Sequence, residues 1–503
     1  MPLSAVQYHQ QTHYDRLRLG GHPMDWAGQP GVYKTYPGHT PIPLTREPRF
    51  PNLPLADLLR QEAASPGKLS ITAADLSALF LLTYSLTARA RHPEGEFYYR
   101  SVASAGALYP TEIYADLIGV EGFADGLYHF SIAAHGLTRL HSGEGQPGFT
   151  ANRAEAPPAG PRLVFFLTVL FFRSSWKYRD RAFRYHLLDT GHVLEHLILA
   201  SKALALPYRL IFDFEDKTVG RRLGLDDTRE VPLALCRINT PEAPADFNVA
   251  PVLEPSLGAF PQAGPVSDRE VDYPLIRQAY QAGGIFKREV PDGFDMVGRL
   301  GPAPSSWVRL PGPAEETSRK TLEQAVFSRR SRRNFVSTPL DPASWRTLWA
   351  ALAWVELEES AGLQSQPILA VGCLADRVEG IQPGFYLMDW ATRSLGLAAP
   401  GSFTGPMAGV CLDQSWLSQA AVHFCFLTNV RLLDEQRGPR GYRYALMQSG
   451  RLGERLYLIA TTLGLGCCGV GAFYDQEAVD LLGLNDDSRL LYLVAVGPVK
   501  SLR

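Results

Sequence analysis

Four arginines and a serine lie close together in the run Ser328-Arg-Arg-Ser-Arg-Arg-Asn-Phe335. The residues singled out as ligands are Arg329, Arg330, Ser331 and Arg332. Their guanidinium and hydroxyl groups suit a phosphate, because a charged partner makes each hydrogen bond worth roughly 1.5–3 kcal/mol. Taken alone, such a run is also typical of a solvated charged face or of a nucleic-acid patch.

Two stretches of small residues accompany the arginines. They are Ser104, Ala105 and Gly106 in one stretch, and Gly469, Val470, Gly471 and Ala472 in the other. Glycine lets backbone N–H groups approach a ligand closely, and small side chains leave room for the face of a flat ring. Together with the arginines, these stretches predict a planar cofactor that carries a phosphate.

The chain contains an internal repeat. The segment 184–191 aligns with 443–450, and the same register brings Glu195 to Glu454 and Asp216 to Asp475 without a gap. A register kept over that length predicts a tandem duplication. The predicted parts are an extension at 1–40, a first half at 41–240, a Pro- and Gly-rich linker at 241–314 and a second half at 315–503.

Both halves show the same predicted order of helices and strands. Helices are predicted at 76–86, at about 184–205, at 345–354 and at about 443–464, with a short one in the linker near 271–281. Strands are predicted at 112–119, 162–170, 231–238, 421–428 and 490–496. Because the two types do not alternate strictly, the pattern predicts an α+β fold with a mixed or antiparallel sheet flanked by helices.

The unusual residues are divided between the halves. The repeat counterpart of 464–473 is 205–214, which has no glycine at the positions of Gly466, Gly469 and Gly471. The counterpart of the arginine run has one arginine, and 360–367 is only a weak echo of the Ser104 stretch. Two sites that straddled both subunits of an ancestral homodimer could decay in this way after fusion. The sequence therefore predicts one composite cofactor site.

The composition limits the class of protein. A formal net charge of −2 over 503 residues gives no general basic field for nucleic acid or an anionic membrane. The chain starts without the pattern of a secretory signal, and its longest apolar run, 163–172, is about half a bilayer span. Six cysteines without C-x-x-C spacing fit reduced core thiols better than disulfides or a metal site. We expect a cytoplasmic protein with a small partner.

Several segments resemble the SagB/ThcOx-type dehydrogenases of the FMN-dependent nitroreductase superfamily. They are 104–110 (SAGALYP), 126–129 (GLYH), 172–185 and 188–192 (LDTGH), and 329–332 resembles the phosphate-binding start of that superfamily. The resemblance covers nearly the whole chain. It implies a nitroreductase-like three-layer fold in two tandem copies that form an intrachain pseudo-dimer.

The resemblance also implies roles for particular residues. The FMN phosphate and ribityl chain would be held by Arg329, Ser331, Arg332 and Lys500, and the ring would meet 104–106 and 469–472. Azoline-oxidising relatives remove the substrate proton with a Lys-Tyr pair, which Lys177 and Tyr178 match; alternatively, the two residues only brace a loop. Ala103 replaces the proline usual in the family, and the second half lacks a Lys-Tyr pair.

The segment His192-Val-Leu-Glu-His196 matches H-x-x-E-H, an inverted zinc-protease signature. Both histidines would share one face of a helix, so a zinc site is geometrically possible. The repeat counterpart, 451–455, reads RLGER and keeps only the glutamate. We therefore predict a helix at the interface between the halves, and no metal.

The expected activity is the two-electron oxidation of a substrate by an FMN enzyme, such as the conversion of a peptide azoline to an azole. Two alternatives are an NAD(P)H-dependent nitro or quinone reductase and a flavin-binding protein without turnover. The expected partners are a small-molecule or modified-peptide substrate and a biosynthetic partner enzyme. The chain could act as a monomer or as a homodimer.

Overall fold

The computed structural model describes residues 3–21, 23–60, 68, 70–92, 95–142, 161–238, 260–284, 295–310, 318–353 and 368–500. Large parts of the predicted linker and the whole weak echo at 360–367 lie outside the described residues.

Up to residue 238, the chain forms the first sheet and its helices. The helices are α1 (Ala5–Gln11), α2 (Leu55–Arg60), α3 (Ala73–Thr83), α4 (Phe171–Tyr178), α5 (Ala182–Ala203) and α6 (Asp216–Arg222). The strands are β1 (Ile42–Pro43), β2 (Leu86–His92), β3 (Gly95–Arg100), β4 (Thr111–Ile118), β5 (Gly126–Ser131), β6 (Gly136–Ser142), β7 (Arg162–Leu170), β8 (Tyr208–Ile211) and β9 (Glu230–Ile238). Short 3-10 turns cover Trp26–Gly28, Ala105–Ala107 and Arg179–Arg181.

The described residues from 260 onward contain the second sheet and the remaining helices. The helices are α7 (Pro274–Ala282), α8 (Leu322–Ser328), α9 (Pro342–Ala353), α10 (Thr404–Val410), α11 (Val430–Arg437), α12 (Arg440–Thr462) and α13 (Asp475–Leu482). The strands are β10 (Ser305–Arg309), β11 (Ala370–Ala375), β12 (Gly384–Asp389), β13 (Ser394–Pro400), β14 (Val422–Asn429), β15 (Gly466–Val470) and β16 (Ser488–Gly497). Further 3-10 turns cover Val297–Arg299 and Ser415–Gln419. Helix α7 is the helix predicted in the linker.

The two large sheets have the same strand order. The first is β1-β6-β5-β4-β7-β9-β8 and the second is β10-β13-β12-β11-β14-β16-β15, with antiparallel pairing throughout the described strands. Strands β2 and β3 form a separate hairpin. The predicted α+β fold in two tandem copies is confirmed, and the sheets are antiparallel rather than mixed.

The long helices α5 and α12 hold the halves together. Each packs on its own sheet, and the two pack against each other. Gly191 and Gly450, which are repeat counterparts, lie where the helices cross. A Cβ on either would stand 2.1 Å from a carbonyl oxygen of the facing helix, so only glycine permits this approach. None of the described helices combines the length and apolar character that crossing a membrane requires.

Buried ion pairs join the halves, and the repeat relates one pair to the other. Arg184 on α5 donates to Asp475 of the second half at 2.7 Å, and its counterpart Arg443 on α12 donates to Asp216 of the first half at 2.9 Å. Asp216 is the first residue of α6, which follows β8, and Asp475 is the first residue of α13, which follows β15. The pseudo-dimer therefore keeps an interface with the two-fold pairing of a homodimer.

Local sequence sets the position of the arginine run. Thr321 and Gln324 form a capping box that begins α8, with Thr321 Oγ1 accepting the Gln324 N–H at 3.3 Å. The helix ends at Ser328, and the chain continues without helical structure through 329–334. The arginines therefore lie on an irregular segment at the interface with the first half.

Candidate functional site

A cavity of about 160 Å³ lies between the halves, at the ends of α5 and β15. From the first half, its wall includes Ser104, Ala105, Gly106, Tyr178, Tyr185 and Asp189. From the second half, its wall includes Ser331, Arg333, Gly469, Val470, Gly471 and Ala472. Both predicted small-residue stretches therefore meet in one place, although they are far apart in sequence.

The Ser104 stretch is folded onto a carboxylate of helix α5. Ser104 Oγ donates a hydrogen bond to Asp189 Oδ2 at 2.5 Å, and the Ala105 N–H donates to Asp189 Oδ1 at 3.2 Å. Gly106 has φ +64°, and a Cβ there would lie 2.8 Å from the Tyr178 hydroxyl. The small residues are thus required by a tight turn between a buried carboxylate and a tyrosine.

Asp189 is a buried carboxyl with a perturbed proton affinity. Burial raises its pKa to about 6, although the hydrogen bond from Ser104 and the nearby His192 act in the opposite direction. A carboxyl in a cavity wall that titrates near neutral pH is typical of a functional site.

Strand β15 forms the opposite side of the cavity. The Gly469 N–H donates to the Tyr457 hydroxyl at 2.7 Å, and the same hydroxyl lies 3.0 Å from Ser331 Oγ. A Cβ at position 469 would stand 1.8 Å from the Tyr492 hydroxyl. Only glycine therefore lets strand β15 pass this close to the Tyr492 hydroxyl.

A layer of buried polar groups lies behind the cavity. His192, which belongs to the wall, bonds through Nδ1 to Glu454, and His196 bonds to the same carboxylate at 2.9 Å. Burial alone would raise the pKa of Glu454, but the two histidines outweigh it and bring the value to about 2. The H-x-x-E-H pair thus binds a carboxylate of the other half, as an interface helix would, and the repeat counterparts Arg451 and Arg455 bind Glu195.

One described cluster has the atoms of a metal site, namely His9, His13 and Asp475. Its carboxylate already accepts hydrogen bonds from Arg181 at 2.6 Å and from Arg184 at 2.7 Å. Two adjacent guanidinium groups oppose the binding of a further cation. We therefore interpret this cluster as part of the interface between the halves.

The predicted phosphate ligands lie at different depths. Arg329 is buried, and its guanidinium donates to the backbone carbonyls of Arg100 and Ser101, just before the Ser104 stretch. Arg330 donates to the Thr87 carbonyl at 2.8 Å and to carbonyls of its own segment. Both side chains therefore lie outside the cavity wall, where they donate hydrogen bonds to backbone carbonyl oxygens.

Ser331 and Arg333 lie at the cavity, and two further cations, Arg332 and Lys500, lie on or beside the same segment. Ser331 and Arg333 belong to its wall, and the Arg333 guanidinium lies 5.5 Å from the centre of the Trp416 ring. Arg332 is half-buried, and its N–H donates to Cys467 at 2.9 Å. The exposed Lys500 is held beside this segment by a hydrogen bond from its N–H to the Asn334 carbonyl at 3.1 Å.

The predicted catalytic pair is split. Tyr178 lies in the wall, where burial raises its pKa, and its ring packs 4.4 Å from that of Tyr185. Lys177 is exposed, outside the wall, and its Nζ lies 5.4 Å from the centre of the Tyr178 ring.

Several residues of the wall were not predicted from the sequence. They are Tyr185, Asp189, His192, Arg333, Gln414, Trp416, Tyr457 and Tyr492. Arg333 could have been found, because alternate residues of an extended segment share a face and Ser331 was already singled out. The tyrosines carried no such signal.

Comparisons with known proteins agree with this arrangement. Residues 326–498 match the nitroreductase family. A relative from Methanocaldococcus jannaschii, MJ1384, named as a candidate nitroreductase, is 28% identical over 177 residues, which are 34% of this chain and 88% of the relative. The trifolitoxin-processing protein TfxB of Rhizobium leguminosarum bv. trifolii is 27% identical over 194 residues, or 37% of this chain and 51% of TfxB.

A solved structure matches the whole arrangement. It is that of a candidate nitroreductase from Anabaena variabilis ATCC 29413, with a TM-score of 0.74, 24% identity and coverage of 99% of both chains. The doubled fold described above is therefore also found in another protein.

Proposed function

We propose that the chain is an oxidoreductase that binds one FMN in the cavity between its halves, a function that the match of residues 326–498 to the nitroreductase family supports. The observation that carries this proposal is the meeting of the two small-residue stretches. A Cβ at 106, 469 or 471 would collide with Tyr178, Tyr492 or Tyr185. Glycine at these positions therefore lets the backbone pack closely in the cavity wall, which suits a flat ring.

The residues present fit the rest of FMN as well. We propose that Ser104 to Gly106 and Gly469 to Ala472 contact the ring, while Ser331, Arg332, Arg333 and Lys500 bind the ribityl chain and the phosphate. We assign to Arg329 and Arg330 the task of holding this segment on the first half, because Nε and Nη2 of Arg329 and both Nη groups of Arg330 already donate to carbonyl oxygens. When bound, the flavin supplies a two-electron acceptor.

We propose that the substrate is a modified peptide, with azoline oxidation as the reaction. This rests on the resemblance to SagB/ThcOx-type dehydrogenases and on the relative TfxB, which is named for processing trifolitoxin. The chain matches only half the length of that relative, so substrate and partner enzyme are both part of the proposal. The rings of Tyr178, Tyr185 and Tyr492 give the cavity aromatic surfaces that suit a flat heterocycle.

To test this, the FMN-loaded protein is mixed anaerobically with a thiazoline-containing peptide, and reduction of the flavin is followed by its absorbance. Bleaching by the peptide, with formation of the thiazole, supports the proposal. Rapid bleaching by NADPH without any by the peptide would instead assign a reductase. Tight FMN without reduction by either would assign a flavin-binding protein without turnover.

A further inference from the structure

Oxidation of an azoline removes a proton as well as a hydride, so the cavity needs a proton acceptor in its wall. Lys177 is exposed and outside that wall. Tyr178 is in the wall, but its raised pKa keeps the phenol protonated at neutral pH. Lys177 is therefore not in the wall, and Tyr178 is in the wall but cannot accept a proton at neutral pH.

We propose that Asp189, acting through Ser104, accepts this proton, an inference that rests on the proposed function. Both residues belong to the cavity wall, and the Asp189 side chain is buried. Ser104 Oγ donates to Asp189 Oδ2 at 2.5 Å and accepts the Tyr109 N–H at 2.9 Å. A hydroxyl oxygen has two lone pairs, so one is left to receive a proton from the cavity.

The surroundings of Asp189 come from several elements. Tyr109 from the Ser104 loop, Tyr178 from α4, His192 from α5 and Tyr492 from β16 all interact electrostatically with the carboxylate. Three of these four are phenols that are neutral near pH 7, and burial raises the pKa of each of them. The carboxylate is therefore poorly compensated, which favours its protonation.

The proton affinity of Asp189 suits the task. With a pKa of about 6, the carboxyl is mostly ionised at pH 7 and is more basic than an ordinary aspartate. Acid–base groups work best when their pKa lies near the working pH.

The proposed step is balanced as follows. One C–H bond of the azoline breaks, its proton binds to Ser104 Oγ, and the hydroxyl proton of Ser104 moves to Asp189 Oδ2. The electron pair of that bond forms the new double bond of the azole. The second hydrogen leaves as a hydride, for which the oxidant is the flavin of the proposed function.

The repeat supports this assignment independently. The counterpart of Asp189 on α12 is Gln448, whose amide oxygen is 3.3 Å from Arg451 Nη1. A carboxamide cannot take up a proton at neutral pH. The carboxyl of Asp189 therefore lies in the cavity wall, whereas its repeat counterpart Gln448 is outside the wall and has no titratable group.

The experiment compares wild type, Asp189→Asn, Ser104→Ala and the matched control Gln448→Asn, all loaded with FMN, in anaerobic reduction by a thiazoline-containing peptide across pH 4.5–8.5. We expect Asp189→Asn to keep its FMN and to slow flavin reduction about 100-fold, the lower range for lost acid–base catalysis. In wild type, the rate of flavin reduction should fall as the pH drops through an apparent pKa near 6. This acid limb of the pH profile should be absent in Asp189→Asn.

Ser104→Ala provides a second readout, and it decides the question if Asp189→Asn does not hold FMN. Because Ser104 passes the proton to Asp189 and its hydrogen bond lowers the pKa of Asp189, Ser104→Ala should lower the rate of flavin reduction, and the acid limb of the remaining rate should lie at higher pH. A purely structural role for Ser104 would lower the rate without moving the limb. Gln448→Asn should behave as wild type.

A readout without substrate is the urea midpoint of the FMN-free protein. The folded-state pKa of Asp189 lies above its ordinary value of 3.8, so its contribution to stability is present below about pH 4 and is lost as the pH rises through 6. Asp189→Asn should not lose stability in this way. Its urea midpoint, relative to that of wild type, should therefore rise between pH 4 and pH 7.

The possible failures are distinguishable. If the peptide reduces wild type while Asp189→Asn keeps both the rate and the acid limb, the inference is overturned and the proposed function stands. The same holds if the limb disappears only in Lys177→Met. If the peptide never reduces the wild-type flavin, the proposed function fails and the inference fails with it.

Discussion

The backbone of Gly471 lies against the ring of Tyr185, across the boundary between the halves. The Tyr185 hydroxyl donates to the Gly471 carbonyl at 3.3 Å, and a Cβ at 471 would stand 2.7 Å from the ring. At the counterpart position, the buried Phe212 packs against Tyr444 with ring centres 5.9 Å apart. Glycine at 471 thus lets Tyr185 approach the backbone directly, whereas two rings pack against each other at the counterpart position.

Gly471→Val is expected to close the cavity. Its branched side chain meets the Tyr185 ring directly, so we expect purified protein to carry less than a tenth of the wild-type FMN. The control is Gly405→Ala, because a Cβ at Gly405 has no neighbour within 4 Å. Absorbance of the flavin relative to protein measures the effect, and normal FMN in Gly471→Val would show that the ring binds elsewhere.

We expect Arg333 to contribute to FMN binding and Arg329 to contribute to the stability of the fold. Arg333→Met should weaken FMN binding about tenfold or more, since it loses a charge-assisted hydrogen bond worth roughly 1.5–3 kcal/mol. Arg329→Met should instead reduce the free energy of unfolding by about 1–3 kcal/mol, because buried carbonyls lose their donor. Fluorescence titration with FMN and urea denaturation separate the two effects. Loss of FMN in Arg329→Met at unchanged stability would restore the phosphate role predicted for Arg329 from the sequence.

Glu454 is expected to make the protein acid-sensitive. Its folded-state pKa of about 2 lies below the ordinary 4.5, so its contribution is fully present above pH 4.5 and is lost as the pH falls toward 2. The difference corresponds to roughly 3 kcal/mol at about 1.4 kcal/mol per unit. Glu454→Gln should flatten this part of the stability profile, and the exposed Glu47→Gln should leave it unchanged. Equal slopes in all three proteins would contradict a stabilising role for the hydrogen bonds of Glu454 with His192 and His196.

Much of the fold followed from the repeat in the sequence. The register that aligned Arg184 with Arg443 and Asp216 with Asp475 also relates the two crossed ion pairs of the structure, because a duplicated homodimer keeps its two-fold contacts. The ion pairs themselves were not predicted from the sequence. The long helices and central strands were predicted to within a few residues for the same reason: their hydrophobic patterns occur twice.

The site was only partly predictable. The glycines and the Ser104 stretch stand out in sequence because a close approach of backbone leaves a compositional trace. Which arginine faces the cavity depends on how α8 ends and on the carbonyls that the first half presents to Arg329, which no local pattern records. Asp189 was visible in LDTGH, but its role depends on a hydrogen bond from Ser104, which lies far away in the chain.

The central claim is one flavin in one cavity shared by the two halves. Calorimetric titration of the FMN-free protein with FMN tests it most directly, with protein concentration fixed by amino-acid analysis. We expect one FMN per chain in wild type and none in Gly471→Val. Two FMN per chain in wild type, or one in Gly471→Val, would contradict the account.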